Sequence, residues 1–213
     1  MSTGGKETTE QFLDRLELKK NQRVLDIGCG IGGADFLMSQ KYDVEVFGLD
    51  LSSNMISICW ERSQAYANLK CRFEIGDVMK HDYPNNYFDV IYTRDALLHI
   101  NNKRDLFGRI KKWLKPGGRL FISDYAHGGL PWSDEFTCYV EQRGYNLLTI
   151  QEYENLIKEY GFVNVRAEDK TQFFIDYSNK ELDNFILNKD EFVKVNIYKF
   201  MVILFFCFKL FFL

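Results

Sequence analysis

VLDIGCGIGG, residues 24–33, decides how the rest of the chain is read. Val24, Leu25 and Ile27 are apolar β-formers, and Gly28, Gly30, Gly32 and Gly33 follow before a helical period begins. Without side chains the backbone there turns sharply and lets a bound molecule approach the end of a strand. The same alternation of short apolar runs and helical periods continues on both sides, which predicts a parallel sheet wrapped by crossover helices. RVLDIG (23–28) is the first strand and Gly32 to about Tyr42 its helix. EVFGLD (45–50), a helix over about 54–68, CRFEI (71–75) and YFDVIYTR (87–94) come next. A helix over 103–114 leads into the strand GRLFISDY (118–125) through the turn Lys115, Pro116, Gly117, Gly118. From Ala126 to about Ile150 the rhythm breaks, as for an insertion beside the sheet; a helix over about 150–160 and a strand FVNVRAE (162–168) then resume it.

The chain has 213 residues, 46% of them apolar and 27% charged, enough for one globular domain with a modest insertion. Its net charge is −3 and no basic run stands out, so a small molecule is expected as ligand rather than a nucleic acid. Five cysteines, Cys29, Cys59, Cys71, Cys138 and Cys207, form no CxxC pair and follow no apolar leader. Reduced, buried thiols in a cytoplasmic protein are the expectation. His81, His99 and His127 lack metal-ligand spacing, and His81 and His127 are read as surface residues.

The spacing Gly28, Gly30, Gly33 fits a dinucleotide fingerprint, with Asp50 and the adjoining Leu51 at a strand end where a ribose would want a carboxylate. The glycines alone therefore leave both NAD and S-adenosylmethionine open. Asp26 discriminates, because a carboxylate there repels a pyrophosphate but attracts a sulfonium and an amino group. Asp77 and Val78, after the third strand, can offer a carboxylate to an adenine amino group and an amide to a ring nitrogen.

VLDIGCGIGG, GDV (76–78), FDVIYTRDALLHI (88–100) and WLKPGGRL (113–120), in that order, resemble a class I S-adenosylmethionine-dependent methyltransferase, Rossmann-like and doubly wound, over roughly residues 20–170. RDALLH, SDY and YVEQRGY resemble more narrowly the phosphoethanolamine N-methyltransferases. That resemblance implies that His99 lies beside the substrate amine, that Asp95 holds the amine, and that Arg94 borders the cofactor. It further implies that Tyr125, Tyr139, Arg143 and Tyr145 clamp the phosphate and that Ser2, in the opening STGG, contributes to the cofactor edge. The assignment is chemically sensible. Only a free amine attacks a methyl group, so a proton acceptor is needed, and imidazole titrates in the right range. A phosphate dianion calls for a bidentate donor and hydroxyls. On a helix Tyr139 and Arg143, at i and i+4, share a face.

The methyltransferase domain is expected over 1–194, with the insertion at about 126–150 and an atypical apolar tail over 195–213. Family members carry an N-terminal lid helix with a tyrosine ahead of STGG, and a last strand with a phosphate-binding lysine. This chain opens at STGG and closes on VNIYKFMVILFFCFKLFFL. Phe200 to Phe208 is nine apolar residues, against about 20 for a spanning helix, so membrane contact through 200–213 is not expected. A monomer is the expected state. Two other functional readings stand beside phosphoethanolamine methylation: a methyltransferase for another small molecule, and a truncated core that binds the methyl donor without turnover.

Overall fold

The computed structural model describes residues 4–66 and 68–189, so Ser2 and the tail over 195–213 lie outside the described residues. A parallel sheet of five strands, in the order β3-β2-β1-β4-β5, forms the centre of the first of two compact units, residues 4–127 with 146–167. Its strands are β1 (Arg23–Ile27), β2 (Glu45–Asp50), β3 (Cys71–Ile75), β4 (Phe88–Arg94) and β5 (Leu114–Ser123). The helices of this unit are α1 (Gly5–Arg15), α2 (Gly33–Tyr42), α3 (Ser53–Ala65), α4 (Lys103–Trp113) and α6 (Ile150–Glu159). The expected Rossmann-like α/β architecture is met.

Successive side chains of β1 face opposite sides of the sheet, and both sides are apolar. Leu25 and Ile27 join Leu49, Phe88, Ile91, Phe107, Ile110 and Trp113 in one core, whereas Val24 joins Leu13, Met38, Val46, Val90 and Tyr92 in the other. A strand buried on both faces needs no polar alternation, which is why RVLDI and FDVIY read as near-continuous apolar runs. The chain builds β1, β2 and β3 outward in one direction and then crosses to β4 and β5, so the strand order reverses at the seam between β1 and β4. A parallel sheet leaves a crevice for ligands at such a point, beyond the carboxyl ends of its strands.

The Lys115–Gly118 turn is not a separate entry to β5 but a bulge within it. Phe88 of β4 pairs with Leu114 and Val90 with Arg119, so the four-residue turn, with Gly117 at φ 75°, is looped out against the single residue Asp89 of its neighbour. The strand expected over 162–168 is absent. Asn164 sits at φ 56°, a left-handed conformation that interrupts an extended run, and Val163 is 82% exposed, so the segment gains no buried face from pairing.

The second unit comprises 128–145 with the described residues from 168 onward. Its helices are α5 (Asp134–Arg143) and α7 (Thr171–Leu187). Ser133 caps α5 by accepting the Phe136 N–H, and Gly144 in the left-handed region ends it. Of the described cysteines, Cys29 and Cys59 are buried as expected, Cys71 is partly buried, and Cys138 on α5 departs from expectation by being exposed. The two histidines read as surface residues are partly covered, His81 against the Tyr83 ring at 4.3 Å and His127 within 3.8 Å of Glu152.

Candidate active site

The loop between β1 and α2 is built on left-handed glycines, Gly28 at φ 79°, Gly30 at 55° and Gly32 at 74°. Gly28 is required twice over. Besides its φ, a Cβ there would lie 2.4 Å from the Ala96 Cβ, so the loop touches the segment that follows β4. At Gly30 and Gly33, by contrast, a Cβ would meet nothing within 4 Å, which leaves open space along the loop. Asp50, at the end of β2, holds this loop in shape. Its Oδ2 accepts the Gly30 N–H at 2.8 Å and its Oδ1 the Ser52 N–H at 2.8 Å, so one carboxylate ties the glycine loop to the start of α3.

Asp26 is buried on β1 and its Oδ1 lacks a hydrogen-bond partner. Burial, and then the neighbouring Asp35 charge, push its carboxyl well above the ordinary range. Asp35, which the sequence reading passed over, is fully buried in the first turn of α2. Its carboxyl lies against that of Asp26, within reach of a shared hydrogen bond, and burial pushes it up to about 7. An acid at the start of a helix reads as a solvated dipole partner, so nothing in the sequence marked it. A buried Asp26 carboxyl with an unmatched Oδ1, on the strand that leads into the glycine loop, suits a cationic ligand, with Asp35 behind it. It fits the sulfonium and amino group of S-adenosylmethionine.

The strand-end segment after β4 is the second half of the site. Asp95 holds a left-handed backbone at φ 54°, uncommon for a residue with a Cβ. Its N–H donates to the Ser123 carbonyl at 2.7 Å, and the Ser123 hydroxyl donates to its Oδ1 at 3.4 Å. Arg94 is mostly buried. Its Nε lies 3.9 Å from Asp95 Oδ2, its Nη1 donates to Thr9 Oγ1 at 2.8 Å, and its guanidinium sits 5.2 Å from the Phe12 ring centroid. The helix α1 is thereby bound to the end of β4, a contact that the sequence did not announce. His99 ends a single 3₁₀ turn, Leu97–His99, and burial together with the Lys103 charge lowers its imidazole below the usual value.

The remaining candidates are distributed as follows. Asp77 Oδ1 accepts the Met79 N–H at 2.9 Å, shaping its own turn and leaving Oδ2, 3.6 Å from Lys80, toward the exterior. The Val78 side chain is buried in the core with Leu49, so only its backbone is available to a ligand. Leu51 is 74% exposed at the end of β2, and Ile75 is 48% exposed at the end of β3. Tyr125 is half-buried just beyond β5 in the first unit. Tyr139, Arg143 and Tyr145 gather in the second. The Tyr139 and Tyr145 rings meet edge to face at 5.9 Å, and the Arg143 guanidinium lies 5.4 Å from the Tyr139 centroid.

Residues 5–167 match the family described as a methyltransferase domain. The chain is 49% identical over 195 residues to phosphoethanolamine N-methyltransferase 1 of Zea mays, covering 91% of this chain and 38% of that protein. It is 40% identical over 198 residues to phosphoethanolamine N-methyltransferase of Plasmodium falciparum (isolate 3D7), covering 92% of this chain and 74% of that protein. Among solved structures, phosphoethanolamine N-methyltransferase 2 of Haemonchus contortus, in complex with phosphomonomethylethanolamine and S-adenosylhomocysteine, superposes with a TM-score of 0.88 at 32% identity, over 91% of this chain and 45% of that one. The chain thus spans less than two fifths of the length of the maize relative.

Proposed function

Because this chain belongs to the methyltransferase-domain family and, within it, to the phosphoethanolamine N-methyltransferases, we propose that it N-methylates phosphoethanolamine toward phosphocholine, with S-adenosylmethionine as methyl donor. The observation that carries this reading is the contact of Gly28 with Ala96. The glycine loop that would take the donor is packed against the residue between Asp95 and the turn bearing His99.

S-adenosylmethionine supplies an electrophilic methyl group when bound. Asp26 would face its cationic end, Gly28 and Gly30 would pass close to it, and Asp50 would accept from its ribose while keeping its two backbone bonds. Leu51, Asp77 and Val78 would border the adenine, Arg94 would border the donor on the β4 side, and Ser2 is assigned to the cofactor edge by resemblance. Exposed apolar side chains at Leu51 and Ile75 support an aromatic face lying there.

The substrate amine is an ammonium at neutral pH and has no lone pair until it loses a proton. His99 takes that proton on its imidazole, while the Asp95 carboxylate steadies the nitrogen as it becomes cationic again after transfer. Arg143, with Tyr125, Tyr139 and Tyr145, is assigned to the phosphate, where a guanidinium offers a bidentate donor. The net charge of −3 supports a small-molecule substrate over a nucleic acid, and unpaired Cys29, Cys59, Cys71 and Cys138 support a reducing, cytoplasmic setting. Among the described residues no helix is long and apolar enough to cross a membrane. A monomeric state completes the proposal.

Titration calorimetry of the purified chain with S-adenosylmethionine, followed by a methyl-transfer assay on phosphoethanolamine in the same preparation, tests the reading. Binding with formation of phosphomonomethylethanolamine is the expected result. Binding without turnover would leave a donor-binding core, and turnover on a different amine would reassign the substrate.

A further inference from the structure

The turn that carries His99 is held from outside at three backbone groups. The Leu98 N–H donates to Asp124 Oδ1 at 3.3 Å, the Leu98 carbonyl accepts the Asn146 N–H at 2.7 Å, and the Ile100 carbonyl accepts Lys103 Nζ at 2.9 Å. Lys103 is the least expected member of this set. It is 3% exposed at the first residue of α4, where the helix dipole disfavours a cation. Its hydrogen bonds go to carbonyl oxygens, of Ile100 and of the Asn146 backbone and side chain, and none goes to a carboxylate. A buried ammonium satisfied only by neutral acceptors is costly, and a packing role alone would be served by methionine or leucine.

The groups with charge around His99 come from several elements. Arg94 and Asp95 lie at the end of β4, and Lys103 begins α4. Asp124 follows β5 and accepts from the Tyr153 hydroxyl of α6 as well as from Leu98. Burial pushes Asp124 up to about 6 and pulls Lys103 down, while the Asp124 carboxylate favours the Lys103 charge.

We propose that Lys103 is a positioning residue for His99: its buried ammonium fixes the turn that carries the imidazole and sets the positive charge against which that imidazole takes up a proton. This inference rests on the proposed methyl transfer for its functional meaning. A base repelled by a neighbouring cation stays neutral to lower pH than a free imidazole and so is more readily available to accept the substrate's proton. The protonated imidazole is then driven to release it once the product has left. The direction in which His99 is shifted, downward by burial and by Lys103, agrees with this geometry.

The test is the titration of the His99 imidazole by NMR in the full chain, for wild type, Lys103→Met, Lys103→Gln and Lys103→Arg, alongside the pH profile of kcat/KM for phosphoethanolamine. Lys103→Met and Lys103→Gln are expected to move the His99 titration upward and the acid limb of kcat/KM with it. Lys103→Arg is expected to leave both near their wild-type positions. A fall in kcat of about tenfold in Lys103→Met, with KM changed less than about twofold, is the size expected for a displaced base. Should Lys103→Met fail to fold, Lys103→Gln, which keeps a donor for the carbonyls, decides the matter. A His99 titration that stays in place in a folded, uncharged variant overturns the proposal. If the titration moves but no variant, wild type included, methylates phosphoethanolamine, the assigned substrate fails and the role of Lys103 stands.

Discussion

A histidine that accepts a proton from an ammonium must itself be neutral when substrate arrives, and in the proposed role of His99 burial and Lys103 both favour the neutral imidazole. His99→Ala is expected to lower kcat by about 10²–10⁴-fold, the usual contribution of a positioned base, while calorimetry finds the S-adenosylmethionine affinity within about threefold of wild type. An unchanged kcat would remove the base role. The role proposed for Arg143 belongs to a different step, since an interaction with the phosphate would be made before and during transfer alike. Arg143→Ala is therefore expected to raise KM for phosphoethanolamine by about tenfold or more with a smaller change in kcat. Steady-state kinetics separate the two, and an unaltered KM would take Arg143 out of the phosphate clamp.

At the scale of elements, the decisive junction is the β1–α2 loop against the segment after β4. Gly28→Ala forces a left-handed alanine and a Cβ 2.4 Å from Ala96, so it should destabilise the fold by about 1–3 kcal/mol and push the Asp95–His99 segment away from the loop. Loss of S-adenosylmethionine binding by calorimetry, with a lower melting temperature, is the expected outcome. The elements that form this junction were legible because parallel strands buried on both faces announce themselves as unbroken apolar runs, and because Gly28, Gly30 and Gly32 have no other reason to crowd one turn. FVNVRAE was misread for the opposite reason. Its alternation is real, but Asn164 turns the backbone out of the extended region and no buried face rewards pairing. Asp35, Lys103 and Asp124 escaped notice because charged residues at helix starts and strand ends are usually solvated. Only the packing of other elements over them, α6 above Asp124 for instance, changes their meaning. The link from Arg94 to Thr9 spans 85 residues and has no local signature at all.

For the molecule as a whole, the buried carboxyls couple stability to pH in a definite direction. Asp35, pushed up to about 7, and Asp124, pushed up to about 6, bind protons in the folded chain that the unfolded chain has released. Their contribution is fully present below the ordinary carboxylate value near 4 and is lost as pH rises through those raised values. Wild type should therefore melt lower at pH 8 than at pH 5 on their account. Asp35→Asn, which cannot ionise, should narrow that gap by a few degrees, given about 2–4 °C per kcal/mol for a chain of this size. Thermal unfolding followed by circular dichroism at the two pH values measures it, and an equal gap in both proteins would show that Asp35 is ionised in the fold throughout.

The left-handed backbone at Asp95 also bears on how this chain can change over generations. A residue with a side chain gives up about 1 kcal/mol or more to stand there, and glycine would not. Asp95→Gly should lose methyl transfer, with relief of the left-handed backbone offsetting part of the loss of its contacts with Ser123 and Arg94. Where the proposed methyl transfer is no longer under selection, drift toward glycine at this position becomes easier. Lineages that have abandoned the reaction but kept the fold should show that drift first.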